Sequence, residues 1–337
     1  MSKALIFGGG GFLGKALARK LLERGDEVIS FARSEYPELA AMGVQVLRGD
    51  ISQKDTVFKA VEGCDVVYHT ASKAGIWGPY SEYERINVLG TRNVIQACRH
   101  SRVKALIYTS TPSVIYHPKA KIENIQEDVP YPSSFECAYA QTKAQAEREI
   151  LEANSSDLVT VSLRPHLIYG PGDPHLVPRL VERAFAGQLP QVGDGQNKVD
   201  ITYVDNAAQA HIDAYEHLDS CAGKAYFISD GQPVVVWSWI RELLQKVGAP
   251  PITKTVPYGV AWGAGAVLEF LGHLTGRKEE PKMTRFTAAQ LATSHYFNIS
   301  NARRDLGYEP KISVAEGMDR LVAWIKEQGA GNLRHTP

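Results

Sequence analysis

The order of short apolar runs and amphipathic stretches in this sequence predicts an α/β fold, a doubly wound parallel sheet with a smaller C-terminal domain interleaved with it. Three observations carry the prediction. Strand-like and helix-like periods alternate through the first third of the chain. A glycine-dense turn joins the first apolar run to the first helix. After about Arg164 the punctuation changes, and loops rich in Gly and Pro take over.

The elements follow in order. Ala4-Leu5-Ile6-Phe7 is a short apolar run closed by Gly8, and the spacing of Leu13, Ala16, Leu17, Lys20 and Leu21 predicts a helix over 12–24 that Gly25 stops. Strands are expected at 27–31, 44–47, 66–68 and 105–108, with helices near 55–62 and 84–100 between them. Short apolar strands separated by helices make right-handed βαβ units, whose parallel sheet is covered on both faces. Residues 158–163 and 226–228 read as further strands of that sheet. Loops at 169–174 and 193–197 bracket a helix over about 178–187. Residues 258–274 contain one formal charge, Glu269, and four glycines in 17 residues, short of the roughly 20 apolar residues a bilayer span needs. That stretch is expected to be a helix covering the smaller domain rather than a surface dipping into a membrane.

Composition narrows the function classes. The chain of 337 residues balances 37 Lys and Arg against 37 Asp and Glu, so no overall basic field exists to hold a polyanion, and nucleic acid is not an expected partner. Cys64, Cys98, Cys137 and Cys221 have no short spacing, which suggests neither a metal knuckle nor a redox pair, and a reduced, cytoplasmic setting is expected. Met1-Ser2-Lys3 runs straight into the first apolar stretch, leaving no room for a signal peptide. No metal site is predicted.

The turn Gly8-Gly9-Gly10-Gly11-Phe12-Leu13-Gly14 spells G-x-x-G-x-x-G between a strand and a helix. Residues without Cβ let the backbone approach a pyrophosphate, whose charge the helix N-terminus meets, so Gly8, Gly11, Phe12, Leu13 and Gly14 are expected to hold a dinucleotide in a Rossmann-type domain. About 20 residues on, where an acid selects the ribose hydroxyls of NAD, the chain carries Phe31-Ala32-Arg33-Ser34 instead. Arg33 and Ser34 suit a 2′-phosphate, which predicts NADP(H) over NAD(H). Asp50 and Ile51, after the third strand, are placed to meet the adenine amino group, although an Asp there also serves as a helix cap.

Tyr139 and Lys143 are four residues apart, hence on one helical face, and form the only Tyr-x-x-x-Lys in the chain. They follow a strand ending in a hydroxyl cluster, Tyr108-Thr109-Ser110-Thr111-Pro112-Ser113. A phenol is a poor base at neutral pH, and an ammonium beside it favours the phenolate. Tyr139 can then exchange a proton with a carbinol or carbonyl oxygen that Thr111 also holds.

With these residues the chain resembles the extended short-chain dehydrogenase/reductases, in their 3β-hydroxysteroid dehydrogenase branch, over nearly its whole length. Further carriers are His69-Thr70-Ala71-Ser72, Asn87-Val88-Leu89-Gly90-Thr91, Leu163-Arg164-Pro165, Tyr169-Gly170-Pro171-Gly172, Tyr203-Val204-Asp205-Asn206 and Asn301-Ala302-Arg303-Arg304-Asp305-Leu306-Gly307-Tyr308. The resemblance implies hydride transfer at nicotinamide, with Tyr139 moving the proton, Lys143 tuning it and gripping the ribose, and Thr111 orienting the substrate. Ser110 is the alternative to Thr111. It also implies that Ala71 passes the cofactor and that backbone near Pro165 meets the carboxamide. Phe7 replaces a common threonine and Thr111 the usual serine, which keeps the hydroxyl. Residues 1–168 and about 199–230 are then the dinucleotide domain, and 169–198 and about 231–330 a substrate-binding lid.

The loops that would read the substrate hold aromatic and aliphatic side chains and few charges, which suits an apolar, lipid-like molecule. Lys73, Trp77, Tyr80, His166, His175 and Arg179 are the candidate contacts. The run Lys73-Ala74-Gly75-Ile76-Trp77-Gly78, the variant Thr111-Pro112-Ser113-Val114 and the segment 170–176 look most like bacterial 2-alkyl-3-oxoalkanoate reductases of olefin biosynthesis, and the general pattern is similar to sterol 4α-carboxylate 3-dehydrogenases. A sugar-nucleotide epimerase or dehydratase is the third reading. The helices near 84–100 and 134–152 resemble those that pair in dimers of the wider family, and contact with a membrane surface or a pathway enzyme stays open.

Overall fold

The computed structural model describes residues 1–116, 122–174 and 176–329. Its main sheet has seven strands: β1 (Lys3–Phe7), β2 (Glu27–Ala32), β3 (Gln45–Arg48), β4 (Val66–His69), β5 (Ala105–Thr109), β6 (Val159–Pro165) and β7 (Ala225–Ile228). Their spatial order is β3-β2-β1-β4-β5-β6-β7, every pair parallel. All seven strands expected from the sequence are in this sheet. The order reverses between β1 and β4, so the loops leaving those two strands diverge and open a crevice at their C-terminal ends.

Strand β1 shows why its sequence is apolar at every position rather than at alternate ones. Ala4 and Ile6 point into a core shared with Leu13, Leu17 and Leu21 of the helix Phe12–Glu23. Leu5 and Phe7 point the other way, into a core with Val57, Val61 and Val94 from the helices Lys54–Val61 and Gly90–His100. Both faces are covered, and each large side chain so buried contributes roughly 1.5–3 kcal/mol.

The helix expected over 84–100 is divided. Glu84–Leu89 is a π-helical turn, and α-helix runs only from Gly90 to His100. The wide turn holds Asn87, whose side chain accepts from Lys73 N at 2.7 Å and donates to Thr142 Oγ1 at 3.1 Å, tying the loop after β4 to the helix Ala138–Glu152. A residue inserted into the helix to make such a tie is a recurrent cause of π turns at functional positions.

The smaller part of the molecule is built on a four-stranded sheet in the order Val234–Val235, Lys198–Val199, His295–Phe297, Ile122–Ile125. Helices Leu176–Phe185, Val236–Lys246, Tyr258–Leu274 and Arg285–Ala292 accompany it. The helix Tyr258–Leu274 only partly matches its expected role. Ala261, Gly265 and Gly272 are its buried residues, and Gly265 lies so close to the backbone of Thr284 and Arg285 that only a glycine fits there. Its large side chains, Val260, Val267, Phe270, Leu271 and Leu274, face outward. Among the described residues no helix is long and apolar enough to cross a membrane.

Candidate active site

The crevice at the sheet reversal is a cavity of about 300 Å³. Gly8, Gly11, Arg33, Ser34, Asp50, Ile51 and Ala71 line it together with Tyr36 and Lys73. Gly8 has φ 86°, and a Cβ there would stand 2.8 Å from the Ala71 backbone. At Gly14 a Cβ would run into the Gly8 carbonyl oxygen, so the turn closes only with glycine at both positions. Helix Phe12–Glu23 begins at Gly11 with no side-chain cap and no acid in its first turn, leaving its N–H groups for an anion. Phe12 and Leu13 open that helix, Leu13 being buried. These features fit a dinucleotide: a Cβ-free cradle, open backbone donors, and an exposed Arg33 and Ser34 at the far rim. The Asp50 carboxylate accepts from Ser52 N at 2.8 Å and Arg85 Nη1 at 2.9 Å. Burial pushes its pKa up, but these bonds outweigh it and hold the group below the ordinary value.

The strand-end hydroxyls and the Tyr and Lys pair meet at the end of β5, the strand paired with β4. Tyr139 and Lys143 lie in the first two turns of the helix Ala138–Glu152, which packs on β6. Tyr139 is half-buried as a residue, its hydroxyl end enclosed. Burial, opposed by the Thr111 hydroxyl beside it, leaves the phenol pushed up to about 12. Ser110 Oγ is buried without a hydrogen bond and faces the Glu147 carboxylate instead. Thr111 is thus the hydroxyl at the phenol. Lys143 Nζ donates to Thr109 O at 2.6 Å and sits 4.0 Å from the centre of the Tyr108 ring. Burial lowers its pKa to about 7, with Glu147 opposing. Burial, and not the Lys143 ammonium, sets the direction in which Tyr139 is shifted.

Two charged residues of this site escaped the sequence reading. Glu147, one turn beyond Lys143, and Arg164, at the centre of Leu163-Arg164-Pro165, are 0% and 3% exposed and ion-paired at 2.6 Å. The signal for Glu147 was there, since positions 139, 143 and 147 repeat every four residues, but an acid four residues after a lysine ordinarily marks a solvated helix face. Pro165 ends β6 paired with Ile228, and it lies buried.

The structure places the expected substrate contacts less uniformly. Lys73 lines the cavity, with its Nζ 2.8 Å from Glu82. Trp77 donates from Nε1 to Arg277 O at 2.9 Å and packs against His273, so it latches its loop to the helix Tyr258–Leu274. Tyr80 is 38% exposed beside Glu84 and Arg92, away from the cavity lining. Arg179 is bound to Glu280 on the surface at 3.2 Å. His166 is corrected from a substrate contact to a core residue: its Nε2 lies 2.7 Å from His295 Nδ1, while His295 Nε2 reaches Gln290 O at 2.9 Å. The carbonyl can only accept, so His295 carries its proton on Nε2 and His166 donates to its Nδ1, both rings neutral. His175 lies outside the described residues. Among the described residues no group of three or more His, Cys, Asp or Glu side chains is placed to hold a metal ion.

Comparison with known proteins fits this geometry. The chain is 51% identical over 325 residues to a 2-alkyl-3-oxoalkanoate reductase of Stenotrophomonas maltophilia, covering 95% of this chain and 98% of the relative. It is 33% identical to the decarboxylating sterol-4-alpha-carboxylate 3-dehydrogenase of Mus musculus, covering 95% and 90%. Among solved structures, the crystal structure of gox2253 matches with a TM-score of 0.78 at 25% identity over 98% of this chain and 99% of that one. The UDP-glucuronic acid 4-epimerase of Bacillus cereus, in complex with NAD, matches in fold with a TM-score of 0.74 at 24% identity over 96% and 99%. A family model matches residues 5–257, and on these grounds the chain belongs to the 3-beta hydroxysteroid dehydrogenase/isomerase family, oxidoreductases built on the extended short-chain dehydrogenase/reductase fold.

Proposed function

We propose that this protein is an NADP(H)-dependent ketoreductase that interconverts a 2-alkyl-3-oxoalkanoate and the 2-alkyl-3-hydroxyalkanoate. The observation that carries the reading is Tyr139 with Thr111 beside it and Lys143 one turn on, in a chain that has a glycine-cradled crevice and is 51% identical to a reductase named for that substrate. Bound nicotinamide supplies or accepts the hydride. Tyr139 gives its hydroxyl proton to the ketone oxygen as charge develops there, and takes it back in the oxidative direction. Thr111 holds the same oxygen from its other side and fixes its distance from the phenol. Lys143, held by Thr109 O with its Nζ over the Tyr108 ring, would supply the positive charge of the site and would hold the nicotinamide ribose. Gly8, Gly11, Phe12, Leu13 and Gly14 seat the pyrophosphate, Ala71 and Pro165 border the nicotinamide half, and Asp50 with Ile51 borders the adenine. Arg33 and Ser34 receive the 2′-phosphate, which makes NADP(H) the preferred cofactor and NAD(H) the weaker one.

Residues 1–168 and about 199–230 serve the dinucleotide, and 169–198 with about 231–330 form the substrate lid. The enzyme works in the cytoplasm, and a dimer through the helices Gly90–His100 and Ala138–Glu152 is its expected assembly; a monomer in sedimentation removes the dimer. A 3-oxo acid loses its carboxyl spontaneously, so the reading is tested in the oxidative direction: a 2-alkyl-3-hydroxy acid should reduce NADP⁺. Absence of that activity, with turnover of a 3β-hydroxysteroid 4α-carboxylate instead, would replace this reading by the sterol one.

A further inference from the structure

We propose that Glu147 is a positioning residue that keeps Lys143 charged at the active site, and that the Arg164 guanidinium keeps Glu147 an anion; the proposal rests on the role given to Lys143 above. Lys143 and Glu147 are one turn apart on the same helix, 2% and 0% exposed. An ammonium so enclosed, with a single carbonyl at 2.6 Å and a ring face at 4.0 Å, is stable only if an opposite charge lies close. The titratable groups facing it are His69 on β4, Tyr108 on β5, and Tyr139 and Glu147 on its own helix. His69 is held neutral by burial, first, and by Lys143 itself, and both tyrosines are held neutral by burial. Glu147 is therefore the one anion of the set.

That anion is fixed from three sides. Its Oε1 accepts from Tyr131 OH at 2.8 Å and Arg164 Nη2 at 2.6 Å, and its Oε2 from Ser162 Oγ at 2.7 Å and Arg164 Nε at 3.0 Å. With its lone pairs committed to β6 and the Tyr131 loop, the carboxylate acts on Lys143 through its field across one helical turn. A lone carboxylate in this position would take up a proton, and the guanidinium fork prevents it. The charges thus alternate from one group to the next: Lys143 positive, Glu147 negative, Arg164 positive. A purely structural pair, stapling the helix to β6, would share the contacts but leave the lysine's titration untouched.

The test follows the Lys143 amine by ¹⁵N NMR in the full chain without cofactor, alongside the pH profile of turnover. In the wild type the amine should titrate near pH 7. Glu147→Gln removes the charge and keeps the shape; it should lower the midpoint by one pH unit or more, a tenfold loss of proton affinity, and move the alkaline limb of turnover down equally. Arg164→Gln should do the same by letting Glu147 protonate, so either variant carries the test if the other does not fold. Tyr131→Phe trims one hydrogen bond, keeps the charge and should keep the wild-type midpoint. An unchanged midpoint in a folded Glu147→Gln protein, or a midpoint lowered as much by Tyr131→Phe, overturns the proposal. Failure of the ketoreductase reading appears separately, as lack of turnover in a wild type whose lysine still titrates.

Discussion

The helices Ala138–Glu152 and Tyr258–Leu274 break the usual pattern of polar outside and apolar inside in opposite directions. The first carries Lys143 and Glu147 into the interior, while the second turns Phe270, 67% exposed, and Leu274, 73% exposed, to the outside and packs with alanine and glycine. A buried charge costs several kcal/mol unless it is paired, so it persists only where the neighbours supply partners and the chemistry needs it. An exposed apolar stripe costs little in the folded chain and marks a surface suited to contact with something greasy. The inward pattern lies on the helix that carries Tyr139 and Lys143, the outward one on a helix whose large apolar side chains face solvent, and each can be broken separately.

Tyr139→Phe should give the largest effect, a loss of roughly 10²–10⁴-fold in kcat with the cofactor dissociation constant little changed, read by steady-state kinetics and NADPH fluorescence. Unchanged turnover would remove Tyr139 from the mechanism. Next comes Arg164→Ala, which strands the Glu147 carboxylate and should destabilise the fold by roughly 3–5 kcal/mol in urea unfolding. His69 and His211 come third. Burial, first, depresses their folded values to about 3 and about 4, with Lys143 adding to the first and the Ala207 carbonyl opposing for the second. Depressed values mean that the unfolded chain binds more protons below the ordinary value of 6.5. Their share of stability is whole above pH 6.5 and is lost as pH falls, at up to roughly 1.4 kcal/mol per pH unit for each ring. Acid unfolding with no such slope between pH 6 and 4 would contradict their burial as neutral rings. Arg33→Ala should lower kcat/KM for NADPH about tenfold relative to NADH, the worth of a charged hydrogen bond. The smallest effect on the fold is Phe270→Ser, within about 0.5 kcal/mol because the side chain is already in solvent. If the outer stripe meets lipid, the same change should reduce flotation with anionic liposomes, and equal flotation would argue against that contact.

The sheet was legible because each strand is a continuous apolar run and each crossover helix has its own period. The placing of Tyr139 and Lys143 together was legible because they share one helical spacing and follow a strand ending in hydroxyls. Glu147 and Arg164 were not, since a charged residue inside a helical pattern looks the same whether it faces water or a buried partner contributed by a distant strand. Strands of two residues such as Lys198–Val199 and Val234–Val235 carry no period at all. Nor could spacing tell that His166 would meet His295, 129 residues away. The π turn at Asn87 was hidden because an inserted residue leaves the apolar pattern on either side intact.

The central claim, that the buried pair serves ketone reduction on a lipid-like acid, is tested most directly by the wild-type enzyme with two substrates. A 2-alkyl-3-hydroxyalkanoate with NADP⁺ and a 3β-hydroxysteroid with NAD⁺ are compared by kcat/KM at pH 7 under identical conditions. The first pair should be the better by at least tenfold. Turnover of the steroid pair alone, or of neither, would contradict the account.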